Sequence, residues 1–343
     1  MHAEPTAVHG PSAHRVIVDP LAELARHRRY NRPVAMALQT DHETRDVGQA
    51  IANCSQRLAL EFALEGEHLG PAQLRGAALC NRRLCPFCEW RRTRAWRARL
   101  ISGLEAFMED HSGWSAVFLT LTVRNCQMHE LRDTVRHLHQ SYMRLTKISG
   151  FPTDAWMRRT EVTVQMHPTE PFGPSRGAQA EKVPVVGGGS PRGLHPHLHC
   201  LLLVRPSYWS RDYKKQLWWQ QQWQMAARLD YSPQVHVRRA KAKPGRESHG
   251  EIAPVSAVIE AAKYASKATD LLALGDALPA FHHEMRGLRS YGISKSLQRY
   301  VKAADPQGDD LLDTPTEGEA IEQPYLSAIA QWFDEAQEYR FVI

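Results

Sequence analysis

The apolar and polar positions of the central chain follow two different periods. A β-branched and apolar run at 116–123 predicts a buried strand, whereas the apolar positions of 131–145 recur at helical spacing and predict a helix. Two further strands are predicted at 161–165, where residues alternate, and at 197–204. The stretch 167–194 contains five prolines and six glycines, so it predicts a long loop between these two strands.

Helices are predicted on both sides of this region. The spacing of apolar residues indicates a short helix at 21–29, a helix at the end of 54–110, a Trp-rich helix at 217–229 and an Ala-rich helix at 256–273. One more short strand is predicted at 234–238. Strands mixed with helices, two of them adjacent and joined by a loop, indicate an α+β fold with a central antiparallel sheet flanked by helices.

Composition and charge divide the chain into four segments. These are a partly disordered N-terminal segment (1–49), a Cys- and Arg-rich module (50–112), the main domain (113–302) and an acidic C-terminal tail (303–343). The tail carries ten acidic side chains and one basic one, whereas the 302 residues before it carry 42 basic and 27 acidic side chains. A basic body indicates a polyanionic partner, most often nucleic acid. For the tail, a docking helix within 321–339 and electrostatic masking of the DNA surface are both open.

The sequence contains neither a membrane span nor a secretion signal, and this indicates the redox compartment in which its cysteines lie. No stretch approaches the roughly 18 uninterrupted apolar residues that a membrane span needs, and the first 20 residues lack a charged start followed by an apolar run. A cytoplasmic protein without a membrane partner is therefore expected. In that compartment the six cysteines are expected to be metal ligands or buried thiols rather than disulfides.

Two histidines in the predicted strand 197–204 give the first chemical signal. His197 and His199 are two residues apart, so a strand presents both imidazoles on one face. His195 continues that face by one step, and Glu161 is an acidic residue in an otherwise apolar strand, where a carboxylate needs a cation or donors. This set suits a divalent metal that also touches a phosphate oxygen. The alternative is ordinary strand histidines with satisfied hydrogen bonds.

A second histidine pair has the same local pattern in a different context. His137 and His139 fall within the predicted helix 131–145. Residues two apart on a helix diverge by roughly 200°, so these two histidines are not expected to share a metal.

The Ala-rich helix carries a candidate nucleophile. Glu260 and Tyr264 are four residues apart and therefore adjacent on one helix face, while Lys263 and Lys267 form a neighbouring ridge. The patch combines a phenol, a possible general base and two phosphate-binding cations. A surface helix with a Glu–Lys pair and a half-buried tyrosine is the alternative.

Four of the cysteines have the spacing of a structural zinc site. Cys80, Cys85 and Cys88 form a C-x4-C-x2-C pattern, and Cys54 precedes them in a polar context. Four thiolates make a closed tetrahedral Zn²⁺ site. The other two cysteines lie in or beside predicted strands and are expected to be buried thiols.

Arginines surround this cysteine pattern. Arg82, Arg83, Arg91 and Arg92, with tryptophans interleaved further along, could follow DNA phosphates and stack on bases. The alternative is a solvated helix face with core tryptophans.

Taken together, the motifs resemble a known family. FLTLTV (118–123), HPHLHCLLLV (195–204) and EAAKYASKATD (260–270) occur in the order found in rolling-circle plasmid replication initiators, which belong to the HUH endonuclease superfamily. The last motif holds one tyrosine rather than a pair. CNRRLCPFCEWRR (80–92) is similar to the Cys-rich block that precedes the nuclease domain in one branch of these initiators.

This resemblance implies a fold, a reaction and roles for particular residues. The fold would be a five-stranded antiparallel HUH sheet in 113–302, preceded by the zinc module, with Mg²⁺ or Mn²⁺ bound by His197, His199 and Glu161. Tyr264 would form a 5′-phosphotyrosine and leave a 3′-OH primer, and Glu260 would activate water in the terminating cleavage.

The resemblance also implies partners. They would be plasmid origin DNA, as a single-stranded stem-loop with flanking duplex, and a host polymerase and helicase. The absence of a GxxxxGK[ST] motif agrees with a borrowed helicase.

Other functions remain open from the sequence. An HUH transposase or relaxase would use the same chemistry in another genetic context. A zinc-stabilised DNA-binding regulator would not nick DNA, and a hydrolytic metallonuclease would form no covalent adduct.

Overall fold

A computed structural model describes residues 20–65, 68–165, 193–240, 268–303 and 325–342. The helices of this part are α1 (Pro20–Arg28), α2 (Asn31–Gln39), α3 (Arg45–Ala52), α4 (Pro86–Asp110), α5 (Leu131–Leu145), α6 (Gln216–Ala226), α7 (Ala268–Ala273), α8 (Leu278–Met285) and α9 (Lys295–Ala303). The strands are β1 (Arg57–Glu65), β2 (His68–Ala77), β3 (Ser115–Thr122), β4 (Trp156–Gln165), β5 (Gly193–Val204), β6 (Val235–Arg239), β7 (Tyr291–Ile293), β8 (Tyr325–Phe333) and β9 (Glu338–Val342).

The central sheet has five antiparallel strands in the order β6-β3-β5-β4-β7. Residues of β3 and β5 alternate between two apolar layers. On one face, Leu198 and its neighbours pack with Trp219 and Trp223 of α6 and with side chains of α5. On the other face, Leu201 and its neighbours pack with α4 and α9. The predicted α+β class, with an antiparallel sheet flanked by helices, is confirmed.

The contact between α4 and α9 depends on a glycine. A Cβ at Gly103 would lie 2.8 Å from the Cα of Val301. A larger residue would therefore push the two helices apart and loosen the layer that covers this face of the sheet.

A second, four-stranded antiparallel sheet has the order β2-β1-β8-β9, and the sequence did not predict it. Its last two strands come from the acidic segment 303–343, so the docking helix considered within 321–339 is wrong. The reason is the burial of Ala330 and Trp332, which are two residues apart on β8, and of Tyr339, which pairs with Trp332 from β9. The end of the acidic segment thus shares a sheet with β1 and β2.

Other predicted elements differ in their bounds. Residues 20–52 form three helices where one was expected, since Val34, Leu38 and Ile51 are buried as well as Leu24. Of the Ala-rich helix predicted at 256–273, only α7 lies within the described residues. Most of the predicted loop 167–194 lies outside them.

Among the described residues, no helix combines the length and the apolar character that a bilayer span requires.

Candidate metal and nicking site

The candidate site lies on the two central strands β4 and β5. Their register pairs Glu161 directly with His197, despite the long insertion between the two strands. His199 follows two residues later and shares the face of His197, as the strand period requires. The three side chains that the sequence places on one face therefore lie together.

The distances within this group suit a metal ion. Nε2 of His199 lies 2.9 Å from Oε2 of Glu161, and Nε2 of His197 lies 3.6 Å from the same oxygen. The two Nε2 atoms are 3.1 Å apart. Ligands at right angles around an ion with bonds of about 2.1 Å lie roughly 3 Å apart, so the donor set fits a divalent cation. The three residues occupy one side of such a site and leave other positions open.

The carboxylate is buried, and its charge depends on the histidines. Burial alone raises the pKa of Glu161, but hydrogen bonds with His197 and His199 outweigh it and hold the pKa below its usual value. Both imidazoles turn toward this one oxygen. Two unrelated strand histidines would not require that convergence.

Neighbouring groups fix the orientation of the imidazoles. The Nδ1 of His199 lies 3.3 Å from Oγ1 of Thr120, and the Nδ1 of His197 lies 3.1 Å from the carbonyl oxygen of His195. The ring of His195 instead contacts Asn125, with Nδ1 2.9 Å from Oδ1. Burial, followed by the charge of His197, lowers the pKa of His195 to about 4. His195 is therefore a neighbour of the donor set and not one of its members.

The second histidine pair lies in α5, as predicted. The Nε2 of His137 is 2.9 Å from the carbonyl oxygen of Ala227, and the Nε2 of His139 is 2.7 Å from Oγ1 of Thr160. The two rings thus have separate partners.

A buried arginine beside the site was missed by the sequence reasoning. Arg159 is 1% exposed and pairs with His199 in the register of the sheet. Its Nη1 donates to the Tyr291 hydroxyl at 2.6 Å, and its Nη2 lies 3.4 Å from Oε1 of Glu89. The strand period is enough to predict this position, because Arg159 precedes Glu161 by two residues and therefore shares its face of β4. Arg159 adds a fixed positive charge next to the donor set.

The proposed nucleophile and its neighbours, Tyr264, Glu260, Lys263 and Lys267, lie outside the described residues. Their assignment therefore stays a prediction from the motif.

The four predicted zinc ligands form a second cluster. The Sγ of Cys88 lies 3.4 Å from that of Cys54 and 3.8 Å from that of Cys80, and all four Sγ atoms lie within 4.8 Å of one another. Sulfurs around a tetrahedral ion with bonds of about 2.3 Å lie roughly 3.8 Å apart. The donor set thus fits Zn²⁺. Cys126 and Cys200 are buried thiols outside the cluster.

The start of α4 and a buried amide shape this cluster. Cys85 is the N-cap of α4, and its sulfur accepts the backbone N–H of Cys88 at 3.5 Å. Asn31 lies nearby, with Oδ1 3.7 Å from the Cys85 sulfur and accepting the backbone N–H of Phe87. Hydrogen bonding among the thiols, chiefly with Cys54, lowers the pKa of Cys88. The pKa of Cys80 is lowered as well, chiefly by its hydrogen bond with Cys54, whereas the hydrogen bond with Cys80 raises the pKa of Cys54 and burial raises that of Cys85. The thiolate form that metals bind is therefore favoured at Cys80 and Cys88, but not at Cys54 and Cys85.

The predicted DNA-contacting arginines differ in environment. Arg82 is exposed, whereas Arg83 donates to the Met285 carbonyl at 2.9 Å and the Ser290 hydroxyl at 2.7 Å. Arg92 donates to the carbonyls of Asn81 and Arg82. Arg91 is half-buried. DNA contact by these four arginines stays a prediction. Arg83 also has a structural role, because its hydrogen bonds connect it to Met285 and Ser290.

Comparison with known proteins places the chain in a family. A family model described as "Replication protein" matches residues 72–340. The chain is similar to proteins named "Protein rep" in three organisms. It is 30% identical over 296 residues to that of Lactiplantibacillus plantarum, which covers 82% of this chain and 84% of the relative. It is 27% identical over 317 residues to that of Bacillus amyloliquefaciens (85% and 84%), and 27% identical over 280 residues to that of Streptococcus pneumoniae (79% and 78%).

No solved structure matches the chain significantly. The matched range contains the Glu161–His197–His199 group, most of the Cys cluster and the motif that holds Tyr264. The chain belongs to the replication protein (Rep) family, which confirms the resemblance to plasmid replication initiators.

Proposed function

We propose that the protein initiates rolling-circle replication of a plasmid by nicking one strand of the origin through a phosphotyrosine intermediate. The observation that carries this proposal is the convergence of Glu161, His197 and His199 on one point of the sheet. Membership of the Rep family supports the biological context. The fold would be that of HUH endonucleases.

The two donor sets would hold different metals. Mg²⁺ or Mn²⁺ bound by Glu161, His197 and His199 would polarise the scissile phosphate through its open positions. The four cysteines would hold Zn²⁺ in a closed, structural site.

The chain's own groups would carry out the transfer. The Tyr264 oxygen would attack the phosphorus, forming a 5′-phosphotyrosine as the bond to the 3′ oxygen breaks. The Tyr264 hydroxyl would give up its proton, and the 3′ oxygen would take one up to become the 3′-OH that a host polymerase extends behind a host helicase. Lys263, Lys267 and the exposed Arg82 would contact DNA phosphates. Since the phosphotyrosine conserves the reactivity of the phosphodiester, later rejoining needs no external energy source.

Substitution of Tyr264 tests the nucleophile. Wild-type protein is incubated with labelled single-stranded origin DNA and Mg²⁺ or Mn²⁺, and a denaturing gel is run. We expect a covalent protein–DNA band that is lost in Tyr264→Phe and on chelation of the metal, but kept in a control, Tyr213→Phe, at an exposed position.

Each rival function gives a different gel. Persistence of the band in Tyr264→Phe would contradict the nucleophile assignment. Cleavage without a band would indicate a hydrolytic nuclease, and no cleavage would indicate a regulator. A transposase or relaxase would form the band, but Tyr264→Phe would then leave autonomous plasmid replication intact.

Substitution of Glu260 tests the termination step. If Glu260 activates water, Glu260→Ala should form the first covalent adduct at a normal rate yet release little hydrolysed product, because only the second cleavage needs the base. The measurement is the ratio of adduct to released protein over time. An unchanged ratio would remove this role from Glu260.

A further inference from the structure

A cavity lies on the face of the five-stranded sheet opposite the metal-binding group. It has a volume of about 340 Å³ and opens between α5 and β4. Its lining residues are His139, Gln140, Met143, Arg144, Lys147 and Arg158. Three of the six are permanent cations at neutral pH, and none is a carboxylate.

Arg158 is the most unusual of these residues. It is 7% exposed, and its Nε and Nη1 make no hydrogen bond to any residue that the structure describes. Burial lowers the pKa of the guanidinium; the nearby Cys200 thiol and Tyr142 hydroxyl offset part of this effect, and the positive charge of Arg289 adds to it. A buried charge without an anionic partner is costly. The guanidinium therefore has unused donors and a strong need for an anion.

The fold holds this guanidinium in place. Arg158 pairs with Gly292 of β7, and a Cβ at Gly292 would lie 2.9 Å from Nε and 3.0 Å from Cζ of the arginine. The glycine thus provides the space in which the guanidinium lies. The position of Arg158 is a packed feature of the sheet edge, unlike that of a surface arginine free to turn into solvent.

The neighbouring side chains add positive charge without neutralising it. Arg144 is fixed by hydrogen bonds to the Ala226 carbonyl at 2.6 Å and the Ser141 hydroxyl at 2.8 Å, and Lys147 is exposed at the mouth of the cavity. His139 is neutral at pH 7, because burial and the charge of Arg158 lower its pKa to about 3.

We propose that this pocket, lined by Arg144, Lys147 and Arg158, binds a phosphoryl group at a site separate from the nicking centre. A guanidinium fork matches the oxygens of a phosphate, and a lysine supplies a further point charge. The alternation of side chains along β4 puts Arg158 on the face away from Glu161. The bound group is therefore not the scissile phosphate. It belongs either to a second part of the DNA backbone or to a small phosphorylated molecule.

Titration calorimetry with inorganic phosphate tests the site. The full chain is used at constant ionic strength and without added Mg²⁺ or Mn²⁺. We expect saturable binding that weakens about tenfold or more in Arg158→Gln and severalfold in Lys147→Gln, as loss of a charged hydrogen bond predicts. Lys302→Gln, which replaces an exposed lysine outside the pocket, should leave the affinity unchanged.

The variants Lys147→Gln and Gly292→Ala distinguish a loss of phosphate binding from a loss of folding. Lys147 is exposed, so its substitution leaves the core intact. Gly292→Ala keeps every charge but displaces the guanidinium, and it should weaken phosphate binding as Arg158→Gln does. Absence of saturable binding in the wild type, or equal affinity in wild type, Lys147→Gln and Gly292→Ala, would overturn the proposal.

A second titration identifies the source of the phosphate. A random 20-base-pair duplex is titrated at several salt concentrations. If the group is a DNA phosphate, Lys147→Gln should weaken duplex binding and reduce the salt slope by about one. If it belongs to a small molecule, duplex binding should stay unchanged while the phosphate affinity falls. Either outcome supports the pocket.

Discussion

The two groups of side chains that could hold a metal ion differ in the number and arrangement of their donors. The Cys54–Cys80–Cys85–Cys88 group offers four sulfurs, which suffice to complete a tetrahedral site and would leave no position for a substrate. The Glu161–His197–His199 group supplies three donors on one side only. One group is therefore suited to hold the fold together and the other to touch DNA.

The groups also differ in how their ligands are held. Cys54 follows α3, Cys80 follows β2, and Cys85 and Cys88 lie at the start of α4, so the four cysteines come from separate parts of the fold. The histidines and Glu161 lie on two strands that pair directly through backbone hydrogen bonds. We therefore expect the cysteine group to need an ion to hold these elements together, whereas the pairing of the sheet strands positions the Glu161–His197–His199 group.

The largest difference should appear when one ligand of the cysteine group is lost. In Cys88→Ser we expect loss of bound zinc and a Tm lower by about 10 °C or more. The free energy of structural zinc binding is about 10–16 kcal/mol in small peptides, which is comparable to the whole stability of a domain. Metal analysis and thermal melts measure both effects.

Cys126→Ser is the matched control for this substitution. Cys126 is also buried, but it lies outside the cysteine group. The Cys126→Ser variant should keep its bound zinc. Its free energy of unfolding should fall only by the amount expected for burying a hydroxyl, about 1–3 kcal/mol. Equal melting temperatures for the two variants would contradict a structural role for the cysteine group.

Loss of one histidine from the other group should act on metal affinity and leave folding almost unchanged. In His199→Gln the amide can still donate to Glu161, so the carboxylate keeps a partner. We expect the Mn²⁺ affinity to fall about a hundredfold and nicking to be lost, while the Tm without metal changes by only a few degrees. Calorimetry with Mn²⁺ and the nicking assay measure these changes.

His137→Gln is the control, because His137 has the same neighbouring-pair pattern but lies in α5. It should keep wild-type Mn²⁺ affinity. A loss of affinity in His137→Gln with none in His199→Gln would reverse the assignment of the two histidine pairs.

The two-residue period of side chains along a strand was sufficient to predict that Glu161, His197 and His199 share a face. Residues two apart on a strand share a face, so the strand pattern predicts that His197 and His199 lie together, whereas the helical pattern predicts that His137 and His139 point apart. The same rule could have found Arg159, which shares the face of Glu161. What the period cannot give is the partner that such a charge contacts, since Glu89 and Tyr291 are distant in sequence.

Long-range pairing is the part of the fold that sequence did not predict. β1 pairs with β8, more than 250 residues later in the chain, and no local pattern specifies such a partner. The acidic composition of 303–343 also drew attention away from the apolar positions Ala330, Trp332 and Tyr339, which are buried. The net charge of a segment reflects its exposed side chains. The secondary structure of this segment instead follows from the burial of Ala330, Trp332 and Tyr339.

The smallest effect should come from groups that support the metal ligands. The Thr120 hydroxyl lies 3.3 Å from Nδ1 of His199 and orients that ring. In Thr120→Val we expect the Mn²⁺ affinity to fall by about tenfold, as is usual when a partner of a metal-binding histidine is removed. Thr160→Val is a close control, because the Thr160 hydroxyl contacts the ring of His139 at 2.7 Å on the other face of the sheet. It should cost stability but no metal affinity. If Thr120→Val and Thr160→Val both bind Mn²⁺ like the wild type, the Thr120 hydroxyl does not orient His199. The pairing of the sheet strands would then be sufficient to position this histidine.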